Sequence, residues 1–259
     1  MGKIAIIGAT GTAGSRVAAK LKRSDVAVAE ISRSHGVDLI SGKGLAEALE
    51  GADVAIDASN VVPPDDSADI EETLAPAARH VLDACTSQQA GSLVVLTISG
   101  IDNPVFDYFP YYRAERAQEQ IMHGNGVPCT IVRSTQWHEF ATNPAAVTFD
   151  EDEVVVQDWL IQPISADTVA DVLAVAALGA PGMPRTITGP EVIRLPELTT
   201  KLPRRQGDTR AVRVAPAPLA ALADGAQLAL DNAAVIGPDV DTWLQTAHHT
   251  NVQTPKGTS

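Results

Sequence analysis

An apolar run, Lys3-Ile4-Ala5-Ile6-Ile7, opens directly into Gly8-Ala9-Thr10-Gly11-Thr12-Ala13-Gly14, and few folds accommodate that succession. An uninterrupted apolar run suits a strand buried on both faces, as in a parallel sheet. The three glycines then have separate mechanical duties. Gly8 takes a tight strand-to-helix turn, Gly11 lets the backbone approach a ligand closely, and Gly14 lets the next helix pack against the strand. The free N–H groups and positive dipole end at the start of that helix make the turn a cradle for phosphates.

The rest of the N-terminal half repeats the alternation. Candidate strands at Lys3–Ile7, Val26–Ser32, Val54–Asp57, Leu93–Ile98 and Cys129–Val132 alternate with helical stretches at Gly14–Arg23, Gly44–Leu49, Glu71–Gln88 and Ala114–His123. The last stretch runs into Gly124-Asn125-Gly126, a helix-ending signal. Strict alternation implies an α/β chain, a Rossmann-type doubly wound parallel sheet, with ligands at the C-terminal edge of its strands. Beyond Arg133 the rhythm changes. A short strand is expected at Val154–Gln157, a helix opening at Ser165 and running through Leu178 with Asp167 and Asp171 at its start, and a short strand at Thr186–Thr188. A further helix is expected from Pro196, and an Ala- and Leu-rich lid or partner face at Leu219–Leu230. The chain thus divides into a nucleotide-binding core over 1–178 with some lid segments after 134, a small substrate-side cap over 179–247 and a flexible tail over 248–259.

Composition removes other classes of function. Nineteen Lys and Arg face 32 Asp and Glu, a net charge of −13, and the densest basic stretch is only Arg204-Arg205 with Arg210 and Arg213 nearby. Neither a nucleic acid nor an anionic membrane surface is an expected partner. The two cysteines, Cys85 and Cys129, lack metal or redox spacing and read as core residues of a reduced, cytoplasmic protein. The N-terminus reads as a strand, not as a signal peptide, and no apolar run reaches the length of a membrane span. No metal is expected, since His138-Glu139 lacks the second histidine of a zinc motif and His248-His249 lies in the polar tail. A homo-oligomer is possible but nothing in the pattern specifies one.

The glycine turn, with Gly8, Thr10, Gly11, Thr12, Ala13 and Gly14, is expected to hold a dinucleotide. The end of the second strand selects which one. An acidic residue there holds the ribose hydroxyls of NAD. Here the strand ends Glu30-Ile31-Ser32-Arg33-Ser34: Ser32 stands at the acid's position and Arg33, with Ser34, is the candidate for a 2′-phosphate. NADP(H) is therefore expected over NAD(H). Asp38 and Leu39 are placed at the adenine, and Ser59 and Asn60, after Val54–Asp57, beside the ribose and nicotinamide. The loop from Val61 through Pro64 to Asp66 is expected to fold over them.

These residues, together with Thr97-Ile98-Ser99-Gly100, Tyr111-Tyr112-Arg113-Ala114, Gln118-Glu119 and Val132-Arg133-Ser134-Thr135-Gln136, make the chain resemble the atypical short-chain dehydrogenase/reductases, and within them the NmrA-like branch that includes quinone and triphenylmethane reductases. The resemblance spans about residues 3–175. It implies a nicotinamide cofactor and, in many members, reduction of a small molecule; other members bind cofactor as sensors. It also implies a Ser, Tyr and Lys set in which Tyr protonates a carbonyl oxygen and Lys, one helical turn on, lowers the Tyr pKa from about 10.

Ser99 and Tyr111 match that set, but four residues after Tyr111 stands Glu115. A carboxylate there raises the Tyr pKa and cannot replace an ammonium. Three readings follow: Arg116 or Arg113 substitutes for Lys, the acceptor needs no strong acid, or the site is idle and the tyrosines only pack. Gln136-Trp137-His138 follows the strand Cys129–Val132 at the ligand edge. His138 is a candidate proton source near neutral pH, and Tyr112, Gln136 and Trp137 are candidates for the acceptor pocket. The expected activity is hydride transfer from NADPH to a small acceptor such as a quinone or conjugated carbonyl. The alternatives are an NADP(H)-sensing regulator and an NADP-dependent epimerase or isomerase.

Overall fold

The computed structural model describes residues 2–61, 63, 69–123, 126–180, 182–205 and 207–246. The expected tail, Gly124-Asn125 and most of the loop after Val61 lie outside these residues.

In chain order the elements are β1 (Lys3–Ile7), α1 (Thr12–Leu21), β2 (Ala27–Ile31), α2 (Leu45–Ala48), β3 (Val54–Asp57), α3 (Ile70–Ser87), β4 (Ser92–Ile98), α4 (Pro110–Met122) and β5 (Cys129–Ser134). They continue as β6 (Val147–Phe149), β7 (Glu153–Gln157), β8 (Leu160–Ile161), α5 (Ala166–Ala177), β9 (Thr186–Thr188), β10 (Ile193–Arg194), α6 (Leu195–Arg205), β11 (Ala211–Ala215), α7 (Ala220–Ala223), β12 (Ala234–Val235) and α8 (Val240–Thr246). Seven strands form one parallel sheet in the order β12-β9-β5-β4-β3-β1-β2. The order doubles back at β1, so the crevice for a ligand opens at the C-terminal ends of β1 and β3.

Alternation along each strand divides the core. Ala5 and Ile7 of β1 join Leu45, Val81, Cys85 and Met122 from α2, α3 and α4. Ile4 and Ile6 turn the other way, onto Val17 and Leu21 of α1 and Val169 and Leu173 of α5. Both faces are apolar, which is why the strands read as continuous hydrophobic runs. A separate apolar cluster lies beyond the C-terminal edge. It joins Ile101, Phe106 and Tyr112 to Val154 and Val156 of β7, Trp159, Leu195 and Leu198 of α6, and Trp243 of α8. β6, β7 and β11 form a three-stranded sheet there, and β8 pairs with β10.

Three expectations shift. α4 begins at Pro110, not Ala114, because proline with its fixed φ suits the first helical position. This places Tyr111 and Tyr112 in the first turn of the helix. The start of α5 is capped by Ser165, whose hydroxyl accepts from the Thr168 N–H; Asp167 and Asp171 instead reach across to Arg16 (3.4 Å) and Lys20 (2.6 Å) of α1. The Leu219–Leu230 stretch is helical only as α7 and then turns through Gly225, with φ +83°. Two strands of the main sheet, β9 and β12, come from residues beyond 178. Among the described residues, no helix is long and apolar enough to cross a membrane.

Candidate nucleotide and acceptor site

The glycine turn is fixed from two sides. Gly8 and Ala9 donate their N–H groups to the Ile31 carbonyl at 2.9 and 3.1 Å, tying the turn to the end of β2. The Gly11 N–H closes the turn on the Gly8 carbonyl at 2.9 Å. Gly8 has φ +79°, and a Cβ there would lie 2.8 Å from the Ala58 carbonyl and the Ser59 backbone. A Cβ on Gly14 would meet the Gly8 carbonyl oxygen at 2.2 Å, whereas at Gly11 the one near atom is that oxygen at 3.3 Å. So Gly8 and Gly14 serve close packing, while a Cβ on Gly11 would press on that one oxygen alone. Ala9, Ala13 and Gly14 are buried, while Thr10, Gly11 and Thr12 are exposed. An exposed lip at the start of a ten-residue helix, with N–H groups that no helix can satisfy internally, fits a pyrophosphate.

Beside the lip, Ser32 is extended and Arg33–His35 form a short 3-10 turn. The Ser32 Oγ lies 2.8 Å from both the Ser34 Oγ and the His35 Nδ1, so Ser32 and Ser34 are held within the turn. Arg33 is exposed at its outer side. Glu30 pairs with Lys22, the residue that ends α1. Asp38 accepts from the Ile40 N–H at 3.0 Å and the Ser41 hydroxyl at 2.6 Å, and these bonds hold its pKa below the usual carboxylate value. It thus serves its own loop. Leu39 packs on the core beside α2 and accepts from the His80 ring at 3.0 Å.

At the end of β3, Asp57 is buried and accepts from the Ser59 N–H at 3.0 Å and the Ser59 hydroxyl at 2.6 Å; burial raises its pKa. Ser59 therefore stiffens the chain where it touches Gly8, and Asn60 follows at the opening. The Asn60 side chain and the Glu115 carboxyl both lie close to the Tyr111 hydroxyl. This contact joins the glycine-turn side of the crevice to the first turn of α4. Burial first, then the Glu115 charge, pushes the Tyr111 hydroxyl well above its ordinary 10, in the direction expected from the sequence. Glu115 is itself buried, and loss of solvation raises its carboxyl from 4.5 to about 7.

Neither arginine replaces the missing lysine. Arg113 pairs with Glu71 at 3.0 Å and Arg116 with Asp107 at 2.7 Å. Ser99 is buried just past β4; its N–H donates to the Ser134 carbonyl at 2.8 Å, and its Oγ has no partner among the described residues. Tyr112 is buried among Phe106 and Phe109, with Gln227 close to its hydroxyl.

The run after β5 is split by its surroundings. Gln136 donates to Gln227. Trp137 donates its indole N–H to the Ser134 Oγ at 2.9 Å and packs on the apolar face shared with α1 and α5, so it does not stand as a free pocket wall. His138 is buried against Trp243, ring centroids 4.8 Å apart, and burial lowers its pKa to about 4. It is a neutral imidazole at physiological pH, which removes the basis for expecting a proton source there. Glu139 bridges Arg16 at 3.2 Å and the Ala166 N–H at 3.2 Å, tying this run to α1 and α5. Gln227 is the residue that sequence reasoning missed. Its only signal is one amide in an apolar stretch just after Gly225.

A protein-family model described as NAD(P)H-binding matches residues 8–180. No curated protein sequence matches the chain. Among solved structures, a short-chain dehydrogenase/reductase superfamily protein from Agrobacterium tumefaciens with bound NAD is 14% identical, with 95% of each chain covered and a TM-score of 0.65. An NADPH-dependent quinone oxidoreductase from Escherichia coli, complexed with NADPH, is 18% identical over 83% of this chain and 78% of that one, with a TM-score of 0.57. A GDP-mannoheptose C4 reductase from Campylobacter jejuni with NADP bound is 14% identical over 89% and 90%, with a TM-score of 0.64. At these identities the likeness establishes the fold.

Proposed function

The chain belongs to the NAD(P)H-binding family, and on that premise we propose that it is a cytoplasmic NADPH-dependent reductase, of the NmrA-like type, acting on a small neutral acceptor, a quinone or conjugated carbonyl. The observation that carries this reading is the buried Tyr111 hydroxyl with Asn60 and Glu115 close to it at the mouth of the glycine turn. The exposed lip Thr10–Thr12 takes the phosphates, and Arg33 takes the 2′-phosphate where β2 presents no free carboxylate. A reduced nicotinamide bound there supplies a hydride, so the acceptor's remaining proton comes from the protein or solvent.

In this reading Tyr111 supplies that proton, with the Asn60 side chain close to its oxygen. Glu115 makes it a weak acid, since a negative charge one turn away opposes formation of the phenolate. An isolated ketone needs its developing alkoxide protonated promptly. A quinone or conjugated carbonyl spreads the charge over several atoms, so a weak acid suffices. Ser99, behind the tyrosines, is the candidate to polarise the acceptor oxygen. The same fold also serves an NADPH-dependent quinone oxidoreductase and a GDP-mannoheptose C4 reductase, which is consistent with this chemistry.

One observation favours a second reading. Arg113 pairs with Glu71 and Arg116 with Asp107, and among the described residues neither pairs with Glu115, as in a site that binds NADP(H) only to report it. Turnover separates the two. NADPH consumption followed at its absorbance band, with menadione as acceptor, is expected to rise with enzyme concentration and to fall on Tyr111→Phe. Tight NADPH binding without consumption, across menadione and conjugated enones, assigns the protein to sensing.

A further inference from the structure

The acceptor side of the crevice contains polar atoms that the fold leaves open. Ser99 Oγ, Gln136 Oε1 and Gln227 Nε2 are each buried without a hydrogen-bond partner among the described residues. They lie together. Gln136 and Gln227 are hydrogen-bonded to each other, and the Gln227 backbone abuts Gly100, where a Cβ would stand 3.8 Å from the Gln227 Cα. Ser99 precedes Gly100 and is anchored to Ser134, two residues before Gln136. Tyr112, from α4, lies close to Gln227 without bonding it.

Each amide in this pair spends one end on the other. One carbonyl oxygen and one N–H edge remain, side by side and uncharged. Turning both amides over only exchanges which residue supplies which, so the pattern does not depend on that assignment. An unsatisfied buried polar atom is costly, and here two are kept on one hydrogen-bonded pair of amides. A charged group brought to them would lose its hydration without finding a counter-charge. A neutral group with its own donor and acceptor would satisfy both at once.

Resting on the reductase reading above, we infer that Gln136 and Gln227 form the subsite that selects the acceptor, recognising a neutral group with adjacent donor and acceptor atoms, such as the lactam N–H and C=O beside a conjugated ketone. Gln136 comes from the end of β5 and Gln227 from the segment turned by Gly225, so the subsite is completed only where that segment meets the sheet edge. Specificity is then set by Gln227, a residue outside the Ser99–Tyr111 set.

Isatin and N-methylisatin test this, because they differ by the lactam donor alone. Binding of each to the full chain saturated with NADP⁺ is measured by calorimetry, alongside NADPH-dependent reduction of each. Isatin is expected to bind at least about tenfold more tightly, and the ratio to fall to about one in Gln227→Leu and in Gln136→Met. NADPH affinity and the melting temperature report whether each variant is folded; if Gln227→Leu fails that check, Gln136→Met decides. Equal affinity for the two probes, failure of both to bind, or a ratio unchanged in the folded variants overturns the inference, leaving the amides to hold ordered water only. Discrimination in binding with no reduction of either probe supports the subsite and counts against the reductase reading.

Discussion

Glu115 places a carboxyl where the resemblance calls for an ammonium, and the consequences are measurable at that one residue. Its folded pKa is raised from 4.5 to about 7 by burial. A raised carboxyl contributes stability that is complete below the unfolded value and is lost as pH rises through the folded one. Glu115→Gln is therefore expected to leave stability nearly unchanged at about pH 4.5 and to raise it by about 2–3 kcal/mol at about pH 8.5, measured by urea unfolding. A gain of equal size at both pH values would show that packing, not charge, sets the effect. His138 acts in the opposite sense. Its pKa is lowered from 6.5 to about 4, so its contribution is present above 6.5 and lost as pH falls through about 4. The two windows overlap between 4.5 and 6.5, but His138 is unchanged in Glu115→Gln, so the difference between the variant and the parent protein isolates the Glu115 limb. At Arg33 the expectation concerns binding. Arg33→Ala should weaken NADPH by about tenfold or more and leave NADH within about twofold, since a charge-assisted phosphate contact is worth about 1.5–3 kcal/mol. Equal loss for both nucleotides would remove the 2′-phosphate assignment.

Between residues and whole molecule stand the elements, and the β1–turn–α1 unit is the one on which the site depends. Gly14→Ala would set a methyl group 2.2 Å from the Gly8 carbonyl oxygen, a backbone atom that cannot swing aside. Either α1 moves away from the turn or the turn deforms, so the variant should lose about 1–3 kcal/mol of stability and most of its NADPH affinity. Gly11→Ala, with a single contact at 3.3 Å, should lose less stability than Gly14→Ala. Loss of stability in both variants alike would contradict the separate duties assigned to these glycines. This unit was legible in the sequence because local chemistry determines it: an apolar run, a positive-φ glycine and a helix start follow one another within a few residues. The same holds for β3 and β9, whose bounds coincide with the expected runs Val54–Asp57 and Thr186–Thr188. The start of α4 was less legible, because Pro110 was the signal and the aromatic residues after it carry little helical pattern.

For the molecule as a whole, the parallel sheet followed from the alternation of strand and helix, whereas the acceptor side did not. That side is assembled from β4, β5, α4 and the segment after Gly225, and nothing local to any of them announces the others. Gln136-Trp137-His138-Glu139 shows why. Four adjacent side chains with apparent chemistry are distributed to Gln227, to Ser134, to Trp243 and to Arg16. Tertiary burial, which sequence spacing does not record, converts His138 from a candidate proton source into a packed neutral ring. It also makes Gln227, a single amide in an Ala- and Leu-rich stretch, part of the most polar buried cluster at the sheet edge. The cofactor side escaped this difficulty because one short segment of chain builds most of it. The account as a whole stands on that segment holding an NADP nucleotide, and calorimetric titration of the purified protein with NADPH and with NADH tests it directly. Binding of NADPH at least about tenfold tighter than NADH is the result predicted from Arg33 beside the glycine turn; binding of neither nucleotide, or a preference for NADH, would contradict it.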